Sequence, residues 1–394
     1  MKLIVQKYGG SSLKNSHEIK QVAKQVAKIH KNGNQVIVIV SAMGKKTDEL
    51  LNLAFEVSPH PSPRELDMLL STGERQSMAL LSMALHDLGC DSISLTGSQA
   101  GVLTDGSHRE ANIIDVKPIR VDEYLKQNKI VVLAGYQGVD PVTKEITTLG
   151  RGGSDITAVA FAQHYNALRC EIRKDVEGLY SADPHTYKSA KLVPEVSFDA
   201  LVEMCLLGAR ILHPKAIQRA SESSLPLHIG LSTKDEWGTL ISPKAQVSEL
   251  KALSINSHDN ILKLNLISPK DTHKEKLTDF FEKSKLPCPS LLGEHSDSHN
   301  PCFYIHFFEN IREALILELQ SLPIVSVENK NLASVSISFN KEIPFQESLK
   351  ILNEINTMPL EIHGHLQHNH SISFFVEPKH KESLIRILHE AYIG

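Results

Sequence analysis

Gly150-Arg151-Gly152-Gly153-Ser154-Asp155 follows an apolar run, Ile130 to Gly135, and a turn-rich segment, and it opens a helical pattern carried by Ile156, Val159, Ala160 and Phe161. Its closely spaced glycines let the backbone take φ > 0 and come close to a ligand. The N–H groups of such a loop point outward beside a helix N-terminus, where the helix dipole favours negative charge. Arg151 can hold a carboxylate or phosphate through two parallel hydrogen bonds, and Asp155 can hold a cation or a lysine. The stretch therefore reads as a loop that grips an anion, although six residues alone are equally compatible with an ordinary glycine-rich turn.

Working outward, a similar arrangement stands at the amino terminus. Leu3 to Val5 reads as a buried strand running into Lys7-Tyr8-Gly9-Gly10-Ser11-Ser12, and a helix begins near Asn15 with Val22, Val26 and Ile29 at helical spacing. Strand, glycine pair and helix make a phosphate-binding turn. It is not a Walker A motif, because Lys7 precedes the glycines and projects from the strand end as a point charge. The competing reading is a surface lysine beside a turn. Gln35 to Val40 is an unbroken apolar strand of the parallel-sheet kind, and it ends in the small-residue loop Ser41-Ala42-Met43-Gly44. Ser71-Thr72-Gly73-Glu74 fits a capping box before a helix carrying Met78, Leu81 and Leu85, which predicts a capping role for Glu74. Ile93 to Leu95 and Ile130 to Ala134 add short strands. Strands and helices alternating in this way predict an α/β fold with a mostly parallel sheet covered on both faces.

The chain has 394 residues, enough for two or three domains. A net charge of −4 gives no basis for bulk attraction to nucleic acid or to an anionic membrane surface. No apolar run approaches the ~18 residues of a membrane span, and the start lacks a signal-peptide core, so a cytoplasmic location is expected. Cys90, Cys170, Cys205, Cys288 and Cys302 are scattered without C-x-x-C spacing, which speaks against disulfide or zinc frameworks.

The order of the motifs says more than any one of them. Lys7-Tyr-Gly-Gly-Ser-Ser, Val40-Ser-Ala-Met-Gly, Ser71-Thr-Gly-Glu, Gly150-Arg-Gly-Gly-Ser-Asp, Asp175-Val-Glu-Gly-Leu-Tyr-Ser-Ala-Asp-Pro and Gly208-Ala-Arg-Ile-Leu-His-Pro follow one another in a succession that resembles the aspartate kinase family of the amino-acid kinase superfamily. The resemblance covers residues 1 to about 242. It implies an open αβα sandwich, with paired ACT-like, ferredoxin-like domains over 243–394. The implied reaction is ATP-dependent phosphorylation of the side-chain carboxylate of L-aspartate, with Mg²⁺, feeding lysine and threonine synthesis. It also implies a homodimer or higher oligomer through the ACT-like region.

Carried over residue by residue, the resemblance makes Lys7 and Asp155 the catalytic pair. Gly9, Gly10 and Ser11 would cradle the transferred phosphoryl group. Thr47, Glu74, Arg151, Gly152, Gly153 and Ser154 match contacts to the amino acid, with Arg151 on the α-carboxylate and Glu74 on the α-amino group. Lys174, Asp175, Tyr180, His185, Arg210 and Ile211 match the nucleotide side. An ionised carboxylate acceptor needs no general base, so catalysis reduces to positioning and charge neutralisation.

The nucleotide side departs from the family. Arg173 and Lys174 replace an aromatic residue and Thr, His185 replaces Arg, and Arg210 replaces Lys. A charge-assisted hydrogen bond contributes roughly 1.5–3 kcal/mol, so these changes predict weakened or retuned nucleotide binding, with a non-catalytic amino-acid-binding relative as the alternative. In the carboxy-terminal part, Ile261 to Ile267, Lys274 to Lys285, Cys302 to Phe307, Ile311 to Leu322 and Pro323 to Val327 read as the first of two rounds of roughly βαββαβ, the pattern of paired ferredoxin-like units. Ser334 to Phe339, Phe345 to Ile355, Leu360 to Leu366, Ile372 to Val376 and Glu382 to Tyr392 read as a second. The glycine-containing effector loop of ACT domains is not recognisable at Ser268-Pro-Lys-Asp or at Asn340-Lys-Glu-Ile-Pro, which predicts weak or absent feedback control by lysine or threonine. His363-Gly-His-Leu-Gln-His-Asn-His370 offers a two-ligand pair, His363 with His365, but reads better as a solvated strand and turn.

Overall fold

The computed structural model describes residues 2–209, 211–234, 236–243, 249–266, 290–295, 302–307, 312–320, 322 and 325–394. The chain divides into two compact units, the first comprising Met1–Leu179, Leu192–Phe198 and Ile211–Ala245 and the second Tyr180–Lys191, Asp199–Arg210 and Gln246–Gly394.

The first unit is built on β1 (Leu3–Tyr8), α1 (Ser16–Lys31), β2 (Gln35–Val40), α2 (Lys46–Val57), α3 (Pro63–Leu70), α4 (Thr72–His86), β3 (Ser92–Leu95), β4 (Val102–Thr104), β5 (Ile113–Val116), α5 (Ile119–Lys126), β6 (Ile130–Ala134), β7 (Gln137–Val139), β8 (Ile146–Thr148), α6 (Gly153–His164) and β9 (Arg169–Lys174). It continues through β10 (Glu195–Ser197), α7 (Phe198–Leu206, most of which belongs to the second unit), α8 (Pro214–Glu222), β11 (Leu227–Leu231) and β12 (Thr239–Ser242). The main sheet runs β10-β12-β11-β9-β1-β2-β6-β3, and every neighbouring pair is parallel except β11 with β12. β4, β5, β7 and β8 form a separate small sheet. The expected mostly parallel α/β fold is therefore what the chain adopts.

The central strands are apolar on both faces because both faces are covered. Ile4, Tyr8, Val36, Val38, Val40, Ile130 and Val132 pack with α1 and α4 in one core. The alternate positions Val5, Ile37, Ile39, Val131 and Leu133 point the other way and are also buried. α6 is buried all round its first ten residues, which explains its run of Ala158, Ala160 and Ala162. Asn15 caps α1 by accepting from the Glu18 N–H at 3.0 Å, as its position before the periodic run suggests.

The second unit carries β13 (Ala252–Leu266), β14 (Ser290–His295), β15 (Cys302–His306), α9 (Arg312–Gln320), β16 (Val325–Phe339), α10 (Phe345–Asn356), β17 (Gly364–Gln367), β18 (Ser371–Val376) and α11 (Lys381–Tyr392). Among the described residues its sheet runs β14-β15-β13-β16-β18-β17. Two consecutive sets of strands are thus replaced by a shared frame. The strand expected at 261–267 is the second half of β13, and the strands expected at 323–327 and 334–339 are one strand, β16, paired antiparallel with β13 along most of its length. One end of these strands packs with α10 and α11, the other with α9. The expected helix at 274–285 and the Ser268-Pro-Lys-Asp loop lie outside the described residues. The strand expected from Leu360 is shorter, Gly364–Gln367.

Candidate active site

The carboxyl ends of β1, β2, β6 and β9 lie side by side in the sheet, where open α/β sheets bind ligands. Lys7 is on β1 at the same parity as Val5, so it points to the face on which α6 packs. There its Nζ meets Asp155 Oδ1, in the first turn of α6, at 2.7 Å, with the two side chains only 11% and 12% exposed. The same ammonium lies 3.6 Å from the position a Cβ on Gly9 would occupy, so it sits over the turn that follows β1. Gly10 is obligatory, since a Cβ there would come within 2.8 Å of the Ala42 carbonyl oxygen and 2.9 Å of the Gly44 carbonyl oxygen. Those contacts bring the loop after β1 against the loop after β2. Ser11 is exposed in the short 3₁₀ turn that follows, and Thr47 is half-buried in the first turn of α2.

Glu74 corrects the sequence reading. Ser71 is itself helical at the α3–α4 junction and makes no side-chain cap; its hydroxyl donates back to the Met68 carbonyl at 3.0 Å. Glu74 is instead 3% exposed, its Oε1 accepts from the Ala42 N–H at 3.0 Å, and its Oε2 is buried with no hydrogen-bond partner. Burial pushes its carboxyl up to about 7, against the partial offset of the Ala42 N–H and the charge of Lys7. An orphaned buried carboxylate oxygen is a site for a donor that arrives with a ligand.

Gly150 and Gly152 both take left-handed backbone, at φ 70° and 74°. Gly152 also has no room for a side chain, because a Cβ would fall 2.2 Å from His213 Cβ. Gly153 packs against Tyr136 and Leu149, and Ser154 is buried beside Gly135. Arg151 is exposed at the loop tip, four residues before the aspartate that holds Lys7. Sequence reasoning passed over Tyr136, a non-glycine residue at φ 69° that walls the loop, and His213, whose imidazole pKa is lowered, chiefly by burial. The unusual backbone of Tyr136 has no local sequence signature.

The nucleotide-side expectations divide. Lys174 Nζ donates to the Ile211 carbonyl at 2.7 Å, Ile211 itself is buried, and Asp175 is exposed beyond β9. Tyr180 and His185 belong to the second unit, and Arg210 lies outside the described residues. Arg173 is corrected outright. Adjacent strand residues face opposite ways, so Arg173 points away from Lys7 and Lys174. It is 2% exposed, it donates to Glu171 Oε2 from Nε and Nη2 at 3.1 and 3.0 Å, and its Nη1 donates to the Leu231 and Lys234 carbonyls at 3.1 and 2.6 Å. Its guanidinium also lies 4.2 Å from the centre of the Trp237 ring. These contacts, with Gln6 and Arg169 also bonded to the fully buried Glu171, make Arg173 part of the packing.

In the second unit, Asn340 is buried, with Oδ1 accepting from the Lys251 N–H and Nδ2 donating to the Glu249 carbonyl, both at 3.0 Å. The histidine cluster does not converge. His370 bonds Glu203, while His363 gathers with Glu361 and Glu377, their donor atoms within 4.8 Å of one another, and Lys330 Nζ already lies 3.1 Å from His363 Nε2 and 3.0 Å from Glu377 Oε1. No helix among the described residues is long and apolar enough to cross a membrane.

Comparison with known proteins gives the family. The model of the amino acid kinase family matches residues 2–230. An aspartokinase of Corynebacterium glutamicum is 49% identical over 242 residues, 61% of this chain and 58% of that protein. An aspartokinase of Geobacillus stearothermophilus is 44% identical over 268 residues, 68% of this chain and 66% of that protein. The chain thus spans less than two thirds of the length of these curated relatives. The crystal structure of E. coli aspartokinase III in complex with aspartate and ADP shares the fold over 100% of both chains, with a TM-score of 0.80 at 20% identity. The chain belongs to the amino acid kinase family.

Proposed function

We propose that the protein phosphorylates the side-chain carboxylate of L-aspartate with ATP, giving 4-phospho-L-aspartate and ADP. The observation that carries this reading is the pairing of two features at one sheet end: the Lys7 ammonium held over Gly9 by Asp155, and the orphaned, buried Glu74 oxygen whose carboxyl feels the Lys7 charge. A cation over a glycine turn suits a phosphoryl group, and a buried carboxylate with one oxygen unbonded suits an α-ammonium. Arg151 then takes the α-carboxylate as a two-pronged donor, with the backbone of Gly152, Gly153 and Ser154 beside it. Thr47 lies on the acceptor side, and Gly10 and Ser11 line the phosphate turn. Relatives named aspartokinase at 44–49% identity support the choice of acceptor.

In the reaction, an ionised β-carboxylate oxygen attacks the γ-phosphorus, an acyl-phosphate bond forms, the β–γ P–O bond breaks and ADP leaves with the electron pair. The acceptor has no proton to lose, so Asp155 acts by orienting Lys7, and Lys7 offsets charge on the phosphoryl oxygens. Asp155 is also an acidic side chain that would suit a largely water- and phosphate-bound Mg²⁺, which would neutralise further phosphate charge when bound. We read Lys174, Asp175, Tyr180, His185, Arg210 and Ile211 as the nucleotide side, residues 1–242 as the catalytic region and 243–394 as a paired ACT-like region that joins protomers. Feedback control by lysine or threonine is read as weak, because the Asn340 side chain at one ACT loop position already bonds the 249–251 segment.

The experiment is purified protein with MgATP, aspartate and hydroxylamine, which traps acyl phosphates as coloured hydroxamates. Aspartate-dependent hydroxamate that disappears in Lys7→Ala supports the reading. Aspartate binding without turnover in the unaltered protein removes it.

A further inference from the structure

We propose that Asp67, which neither the sequence motifs nor the comparisons single out, is a positioning residue for the acceptor half of the site, holding the loop that bears Arg151 in its binding geometry. This rests on the aspartate-kinase reading above and names a residue that acts on substrate only through others. Asp67 lies in α3 and is 0% exposed. A buried carboxylate is costly unless its oxygens are fully bonded, and this one collects donors from two separated stretches of chain. Oδ1 accepts from Thr148 Oγ1 at 2.5 Å, and Oδ2 from His108 Nδ1 at 2.7 Å. The Arg109 N–H lies within hydrogen-bond distance of both oxygens, at 3.2 and 3.1 Å. Because an ionised carboxylate only accepts, His108 carries its proton on Nδ1.

Each of these donors leads to the Gly150 loop. Thr148 ends β8, two residues before Gly150, and its carbonyl accepts from the Ala111 N–H at 3.0 Å. Arg109 is held at φ 73°, a conformation a non-glycine residue adopts only when its surroundings enforce it, and its carbonyl oxygen lies 3.1 Å from where a Cβ on Gly150 would be. The Arg109 Nε is buried without a hydrogen-bond partner, so among the contacts named here the backbone N–H to Asp67 is what ties this residue down. Asp67 is thus the point where α3, the 105–112 loop and the end of β8 are tied together immediately before Arg151. Seven residues on, in the same helical stretch, Glu74 supplies the other acceptor-side group. One buried carboxylate therefore sets the spacing between the groups that take the α-carboxylate and the α-ammonium.

The test is Asp67→Asn in the full chain, measured beside the unaltered protein in the hydroxamate assay and by calorimetric titration with aspartate. The amide keeps the shape but replaces one acceptor oxygen with a donor. Misplacing Arg151 raises the KM for aspartate, and weakens aspartate binding, by about tenfold or more, with kcat and the KM for ATP within about threefold. Thr148→Val, which removes a single tie, gives a smaller rise in the same constant. The double variant is no worse than Asp67→Asn alone, because both changes break one network. If Asp67→Asn only lowers thermal stability or active fraction, with the aspartate KM unchanged in the folded protein, the residue is structural and the proposal is overturned. If Asp67→Asn fails to fold, an unchanged aspartate KM in Thr148→Val overturns it instead. Absence of any aspartate turnover in the unaltered protein would remove the kinase reading, a distinct outcome from turnover that is indifferent to residue 67.

Discussion

Glu74 is the point at which pH reaches this site. Its carboxyl is lifted from 4.5 to about 7, chiefly by burial. If only the ionised form accepts the substrate's ammonium, the apparent KM for aspartate varies as one plus ten to the power of (7 − pH): about elevenfold above its alkaline limit at pH 6, about twofold at pH 7 and close to the limit at pH 8. Folding runs the other way. A group whose pKa is raised on folding contributes its stability fully below the unfolded value of 4.5 and loses it as pH rises through about 7, so the ligand-free protein weakens across the window in which acceptor affinity grows. Glu74→Gln removes both effects. Losing a charge-assisted hydrogen bond of roughly 1.5–3 kcal/mol raises the KM about 10- to 150-fold, and the KM then stays flat between about pH 6 and 8. The assay is initial-rate ADP release at saturating MgATP, with aspartate varied at each pH. An unaltered protein whose aspartate KM is constant over this range, or a glutamine variant that keeps the slope, refutes the assignment of Glu74 to the ammonium.

Lys7→Met, which keeps the bulk and removes the charge, lowers kcat by about a hundred- to a thousandfold with a smaller effect on the KM for aspartate, as steady-state rates would register. Arg173→Ala strips a buried partner from Glu171 and costs about 3 kcal/mol in urea unfolding, while the KM for ATP stays within about twofold; a tenfold change in that KM at unchanged stability would return Arg173 to the nucleotide site. Gly152→Ala combines a left-handed backbone with a side chain driven into His213, and is expected to cost about 2–4 kcal/mol and to weaken aspartate binding. Measuring both quantities separates it from a harmless loop change.

Local chemistry made much of the protein readable. Short apolar runs at Val36 to Val40 and Ile130 to Ala134, bounded by turn residues, read as strands buried on both faces, and the glycines flanking Arg151 read as a loop able to approach a ligand closely. The sequence alone therefore determined the mostly parallel sheet, the position of the Lys7 turn and the helix that Asp155 opens. Even Arg173 was legible in principle, since its neighbour Lys174 must face the opposite way. Tertiary structure decided what depends on partners remote in the chain. Glu74 looks like a cap because Ser71 is three residues away, and becomes a buried acceptor because Ala42 is brought to it across the β2 loop. Asp67 carries no motif, because its donors stand 41, 42 and 81 positions along the chain. Likewise, the strands expected at 323–327 and 334–339 are one strand, β16, which runs through the polar stretch Glu328 to Asn331 with its register against β13 shifted. Pairing with β13 on both sides of that polar stretch keeps β16 a single strand, and that partner is remote in the chain.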